Sequence, residues 1–245
     1  MKSAQSVTKI VRIPEDTAWM SRYRMGLQQT GKRPLPYRIF VPENAEGALP
    51  VVFHFHGVRG RGDDNVTQLK AGNRFGPAYF ASDEVQAKFP AIVVVPQCPK
   101  GKYWVNFTMG STSKQLRKAI KLLEELKSTY DIDSTRVYIS GQSMGGFATW
   151  AALVEFPETF AAAVAVSGGG NVRKARSRLN TPIWAFHGAQ DPLVGVWRSR
   201  NMVASLEKAG KPLCYTEFEE GKHDIWPLVY GDLKLAEWMF GFSKS

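Results

Sequence analysis

Apolar residues in this chain fall into short continuous runs separated by longer segments of helical period. Residues 49–56 (LPVVFHFH), 91–96 (AIVVVP), 137–139 (VYI), 160–166 (FAAAVAV), 182–187 (PIWAFH) and 213–218 (LCYTEF) are unbroken or nearly so. Such runs belong to strands buried on both faces of a parallel sheet rather than to half-exposed hairpins. Residues 35–42 (LPYRIFVP) form another strand, bounded by prolines. Between the runs, Leu116, Ala119, Ile120, Leu123, Leu126 and Tyr130 recur every three to four positions with lysines on the opposite face. That spacing predicts a crossover helix opened by a capping box over residues 112–115 and ending near Tyr130. Further helices are predicted over 65–71, 82–89, 144–155, 196–209 and 232–240. Strands alternating with helices imply right-handed βαβ units, and hence an α/β fold with one mostly parallel sheet covered on both faces.

The first 34 residues carry the weakest pattern, an N-terminal extension or edge strands. Residues 7–13 alternate well enough for an edge strand, while 19–29 are ambiguous, basic and turn-rich. No linker, repeat or low-complexity tract interrupts the chain, so residues 1–245 read as one domain. The 245 residues are ample for one buried core, and 44% hydrophobic with 22% charged residues is ordinary for a soluble globular protein. No apolar run approaches the ~18 residues of a membrane span. The N-terminus shows no signal peptide; secretion or periplasmic export would require that one had been removed. A net charge of +10 favours anionic surfaces, but no nucleic-acid-binding motif accompanies it. The densest basic run, residues 173–178, reads as a solvated loop face. Two cysteines, Cys98 and Cys214, exclude a disulfide scaffold and are expected to be reduced and mostly buried, although a single bridge is compatible with the count. Histidines and cysteines show no metal-ligand spacing, and no cofactor is implied.

One stretch carries chemistry. A strand ending at Ile139 runs through Gly141-Gln142-Ser143-Met144-Gly145 into an alanine-rich helix. Strand, G-x-S-x-G and helix together describe a nucleophile elbow. Its glycines leave room for a sharply turned serine, and the Met144 N–H at the helix start can stabilise an oxyanion. A serine needs a base and a group that orients the base. Of four histidines, His54 lies inside a strand and reads as a packing residue, while His56 and His187 end strands before glycine. His223, on a loop after the last strand, is positioned to act over the carboxyl edge of the sheet. Asp191, on the loop after the preceding strand, supplies the acid in preference to Asp224 or Glu219. The second oxyanion donor is Val58, with Arg59 as the alternative, on the glycine-rich loop that follows residues 49–56.

With LPYRIFVP (35–42), HFHGVRGRGDDN (54–65), VPQCPKGKYWV (95–105), RVYISGQSMGG (136–146), FHGAQDPLV (186–194) and GKHDIW (221–226) in place, the chain resembles the α/β-hydrolase superfamily. More narrowly it is similar to the bacterial phospholipase/carboxylesterase, predicted-peptidase and polyhydroxybutyrate-depolymerase or feruloyl-esterase group. The resemblance implies the α/β-hydrolase fold and a serine carboxylic ester hydrolase, with Ser143, Asp191 and His223 as triad and Met144 and Val58 as oxyanion donors. The chain departs from that group in carrying Val58-Arg59-Gly60 where relatives have a small residue and then Gly-Glu. Asp63 and Asn65 are expected to brace this loop or cap the next helix. Residues 167–181 leave no room for a large lid, which suits short-chain, aryl or feruloyl esters, free or polymer-linked. Trp104, Trp226 and Gln142 are the candidate pocket residues, although each tryptophan is equally expected as core. A serine peptidase of the same fold and a hydrolase-like binding protein are the alternatives.

Overall fold

The structure is a computed structural model and describes residues 10–29, 34–43, 46–108 and 110–244. Among the described residues ten strands lie along the chain: β1 (Arg24–Gln28), β2 (Leu35–Phe40), β3 (Leu49–Phe55), β4 (Ile92–Pro96), β5 (Val105–Asn106), β6 (Ser111–Thr112), β7 (Ile132–Gln142), β8 (Ala162–Val166), β9 (Ile183–Gly188) and β10 (Leu213–Phe218). Eight of them form one sheet in the order β1-β2-β4-β3-β7-β8-β9-β10, with β5 and β6 paired separately. From β4 to β10 every pairing is parallel, while β1 and β2 add antiparallel at one edge. This is the α/β-hydrolase arrangement expected from the sequence.

Among the described residues eight α-helices accompany the sheet: α1 (Phe75–Phe80), α2 (Asp83–Gln86), α3 (Lys114–Lys127), α4 (Met144–Glu155), α5 (Val172–Arg178), α6 (Trp197–Lys208), α7 (Trp226–Val229) and α8 (Leu233–Phe240). The continuous apolar runs are explained by the two faces they serve. Because strand side chains alternate, Val51, Phe53 and Phe55 of β3 pack with α3, α4 and α6, whereas Val52 packs with α1, α2 and α8. β7 divides in the same way, Val137 and Ile139 to one cluster and Tyr138 to the other. None of the helices is long and apolar enough to cross a membrane, among the described residues.

Several elements differ from expectation. α3 is capped by Ser113 rather than Thr112: its hydroxyl accepts from the N–H groups of Gln115 (3.1 Å) and Leu116 (3.2 Å). Thr112 is instead the last residue of β6 and hydrogen-bonds Glu155. Residues 7–9 of the predicted first strand lie outside the described residues. The rest of that segment docks beside α8, where Ile10 bridges Asp232 and Val11 N–H donates to Gly231 O at 2.9 Å. The true edge strand is β1, within the segment that read as ambiguous. Its Met25 and Leu27 face solvent, so no buried stripe marks it. The basic run 173–178 lies on α5 rather than on a loop. Both cysteines are free. Cys98 is buried, and burial pushes its thiol up to about 12. Cys214 is exposed rather than buried, because β10 is the far edge of the sheet and its alternate residues meet water.

α1 was not anticipated, since its sequence contains Gly76 and Pro77. Pro77 stands in the first turn, where no N–H is required. Gly76 is fixed by a close approach: a Cβ there would fall 2.1 Å from the His54 ring. His54 is fully buried among Gly76, Phe80 and Tyr230, and neither ring nitrogen has a hydrogen-bond partner among the described residues. Burial, with His56 nearby, lowers its pKa from 6.5 to about 3, so the ring stays neutral. The unfolded chain therefore binds the proton first, and stability falls as pH drops from about 6.5 towards 3. At pH 4 this one residue should cost roughly 3 kcal/mol. We expect His54→Leu to flatten the decline in urea midpoint between pH 7 and pH 4; an unchanged slope would show that His54 is not the group responsible.

Candidate active site

The site is built from the turn that joins β7 to α4. Ser143 has φ 54° and ψ −117°, a left-handed conformation that costs a non-glycine residue of order 1–3 kcal/mol. Two glycines make the turn sterically possible. A Cβ on Gly145 would lie 1.8 Å from the Phe55 carbonyl oxygen of β3, and one on Gly141 would lie 2.3 Å from Gly145 O. Both obstacles are backbone and cannot move aside. The serine is tied down by its own N–H, which donates to Val166 O on β8 at 2.8 Å.

His223 and Asp191 arrive from two separate loops that are stitched together. Gly188 ends β9 so close to residues 221 and 222 that a Cβ would fall 2.2 Å from Lys222 O. Gln190 N–H donates to Gly221 O at 2.9 Å, which fixes the loop after β9 against the loop after β10. In the result, His223 Nε2 is 3.0 Å from Ser143 Oγ, and His223 Nδ1 is 2.7 Å from Asp191 Oδ2. Asp191 Oδ1 accepts from Leu193 and Val194 N–H, both at 2.8 Å. Burial would raise this carboxyl, but the bonds from His223 and the two backbone N–H groups outweigh it and hold the pKa below its ordinary value. Asp191 is therefore a carboxylate, an acceptor that requires Nδ1 to carry the proton and leaves Nε2 free to take one from the serine. Ser167 Oγ, another residue at positive φ (46°), donates to His223 O at 3.2 Å. The Trp226 ring meets the imidazole edge-on at 5.2 Å. His187 lies behind Asp191, its Nε2 2.8 Å from Val194 O and its Nδ1 2.7 Å from Ser199 Oγ. Burial lowers its pKa, which keeps it a neutral loop brace.

The two residues expected to supply oxyanion donors lie near the serine, Met144 next to it in the chain and Val58 on the loop after β3. Met144 is the first residue of α4, where N–H groups have no intrahelical acceptor. Val58 begins a short 3₁₀ turn, Val58–Gly60, directly after Gly57. A Cβ on Gly57 would be 3.5 Å from Ser143 Cβ, so this turn lies against Ser143. Its shape is held from below. Gly57 O can only accept, so His56 Nδ1, 2.6 Å away, carries the proton, and Nε2 accepts from Cys98 N–H at 3.0 Å. Burial lowers the His56 pKa to about 4, in keeping with this neutral tautomer. Asn73 Oδ1 accepts from Gly57 N–H at 2.9 Å, and Arg61 Nε donates to Val58 O at 3.0 Å.

Further along the loop, Gln97 donates to Asp64 (2.7 Å) and Gly60 O (3.3 Å) while accepting from Asn65 N–H (2.7 Å). Asp64 also accepts from the N–H groups of Val66 and Thr67. Burial alone would raise this carboxyl, but its hydrogen bonds hold it well below the usual carboxylate range. The brace expected of Asp63 and Asn65 is therefore made by Asp64 and Asn65, with Gln97 and Asn73 from outside the loop. Of the latter two, Gln97 stands in the stretch VPQCPKGKYWV (95–105), whereas Asn73 lies outside every stretch that carries the resemblance.

Ser143, His223 and Asp191 are thus joined by hydrogen bonds, Met144 follows the serine, and the turn that begins at Val58 lies beside it. The three candidate pocket residues separate. Trp226 backs His223. Gln142 is buried and donates to Gly72 O at 2.8 Å. Trp104 is fully buried under the loop, with Nε1 3.3 Å from His56 O and its ring against Phe55 and His56. It is core, and the exposed aromatics of that loop are its neighbours Tyr103 and Phe107.

Comparison with known proteins supports the fold and an esterase-like grouping. Residues 100–179 match the model of the prolyl oligopeptidase family. The solved structure of a thermostable esterase superposes with a TM-score of 0.86 at 36% identity, covering 91% of this chain and 64% of that one. Poly(3-hydroxyalkanoate) depolymerase C of Paucimonas lemoignei is 31% identical over 138 residues, 53% of this chain and 30% of that protein. A bifunctional acetylxylan esterase/xylanase of Neocallimastix patriciarum is 24% identical over 156 residues, 64% of this chain and 21% of that protein. The chain spans less than a third of the length of either curated relative. Its fold is that of the α/β-hydrolases, and its likenesses include esterases.

The elbow sterics carry a direct test. Gly145→Ala should give no folded protein, or a Tm lowered by at least about 10 °C in a thermal melt. Retention of the parental Tm would show that the Phe55 carbonyl does not confine this turn.

Proposed function

We propose that this chain, an esterase-like α/β-hydrolase, hydrolyses carboxylic esters through an acyl-enzyme, with Ser143 as nucleophile, His223 as general base and acid, and Asp191 as the group that orients it. The observation that carries this reading is the continuous path Ser143 Oγ, His223 Nε2, His223 Nδ1, Asp191 Oδ2 at 3.0 and 2.7 Å on a serine held at positive φ. In the first step the Ser143 proton passes to His223 Nε2 as Oγ attacks the ester carbonyl. The buried Asp191 carboxylate stabilises the imidazolium that forms. The developing oxyanion is received by the Met144 and Val58 N–H groups, which are fixed before substrate arrives and need no reorganisation. Collapse returns the proton from Nε2 to the leaving alcohol. Water then repeats the cycle on the acyl-enzyme and releases the acid.

Between β8 and β9 the chain has only the seven-residue α5, packed beside α4 and α6. That supports an uncovered site serving short-chain, aryl or polymer-linked esters. A second reading, a serine peptidase, is favoured by the match of residues 100–179 to the prolyl oligopeptidase family and shares every residue named above.

A panel of p-nitrophenyl acetate, butyrate and decanoate, methyl ferulate and alanine p-nitroanilide separates the two. Short or aryl esters should turn over and the anilide should not. Ser143→Ala and His223→Ala should each lose about 10⁴-fold or more in kcat. Anilide cleavage of comparable efficiency would move the chain to the peptidases, and activity that survives Ser143→Ala would overturn the assignment of the nucleophile.

A further inference from the structure

A second feature opens beside the serine. Phe147 N–H bonds to Ser143 O at 3.0 Å, so Phe147 stands one turn, about 5 Å, further along α4. It forms one wall of a small open pocket lined also by Val105 and Phe107 from β5 and the turn after it, by Gly110, by Gly169 and Gly170 after β8, and by Arg198, exposed in the first turn of α6. Phe107, half-exposed, meets Phe147 edge-on at 5.2 Å.

Arg198 is the unexplained residue. Its guanidinium carbon lies 4.7 Å from the Trp197 ring centre and 5.5 Å from that of Phe147. Arg200, one turn-face away, is matched by Glu217, which it grips through two bonds of 2.6 and 3.0 Å. Arg198 has no such partner: among the described residues no carboxylate lies within 4.0 Å of its guanidinium. Helix stability does not account for it either, because the dipole at a helix N-terminus favours negative charge and disfavours a cation there. The aromatic faces hold the planar group in place without consuming its hydrogen-bond donors, which leaves them for a ligand. Space has been kept for this arrangement. A Cβ on Gly169 would fall 2.9 Å from Arg198 Cβ and 3.5 Å from the Phe147 ring.

The geometry points to a carboxylate-binding subsite: the ester that this enzyme takes carries a carboxylate on a short arm, received by the Arg198 fork while apolar atoms of the arm lie against Phe107 and Phe147. The inference rests on the esterase reading and narrows it to anionic esters. The carboxylate can belong to the acyl half of the ester or to the alcohol half, and the chemistry recognised is the same.

Two matched pairs distinguish the sources. For the acyl side, p-nitrophenyl hydrogen glutarate is compared with its neutral primary amide; for the alcohol side, 4-acetoxybutyrate is compared with 4-acetoxybutanamide. In one pair kcat/KM should favour the anion by about tenfold or more, a preference that weakens with salt. Arg198→Gln should bring that ratio close to one, and Arg198→Lys should retain part of it. Ratios near one in the parent, or a preference that survives Arg198→Gln, would overturn the inference. Calorimetric titration of Ser143→Ala with the same pairs reads the contrast without turnover. Binding that favours the anion through Arg198, in a protein that hydrolyses neither the anionic nor the neutral esters, would overturn the esterase reading and leave the carboxylate site standing.

Discussion

The site depends on one steric fact, the approach of α4 to the end of β3. Gly145 passes so near the Phe55 carbonyl that not even a methyl group fits. This contact is what allows Ser143 to turn through positive φ and stand clear of both the strand it leaves and the helix it starts. The strain is not repaid locally. It is held by the sheet, through the Ser143 N–H bond to β8 and through the buried strands β3, β7 and β8 that position the two backbones. A conformationally costly residue is therefore placed among strands buried on both faces.

Around that turn, the neighbouring loops are rigidified by groups that stay uncharged or are fully hydrogen-bonded. His56 and His187 are each neutral by burial, and each braces the loop that follows its strand. Asp64 and Gln97 do the same for the loop that presents Val58. In the proposed mechanism the Met144 and Val58 N–H groups are fixed before any charge develops, so stabilising an oxyanion would need no rearrangement of protein dipoles. Arg198 contrasts with these groups: its cation lies against the Trp197 and Phe147 rings at the pocket rim, and among the described residues no carboxylate pairs with it.

Much of this was legible in the sequence, for a physical reason. The elbow is a local steric solution, so five consecutive residues announce it. The buried strands announce themselves because both of their faces are dry, leaving no polar alternation. The chain order of serine, acid and base follows from which strand each loop leaves. Ser143, Asp191 and His223 could therefore be chosen from composition, strand ends and elimination alone.

What only the tertiary structure decided lies in contacts between segments distant in the chain. Trp104 and Tyr103 are adjacent, yet one is core and the other faces water, because only the position of His56 beneath the loop distinguishes them. Gly76 makes sense only once the His54 ring is seen against it, and Gln97 only once it reaches Gly60, Asp64 and Asn65. β1 carries no apolar stripe, because an edge strand has little to bury, and Arg198 is one arginine among many until Phe147 is found beside it. Sequence pattern records how much of a residue is hidden and how sharply the backbone must turn. It does not record which distant partner does the hiding, and that choice belongs to the packed fold.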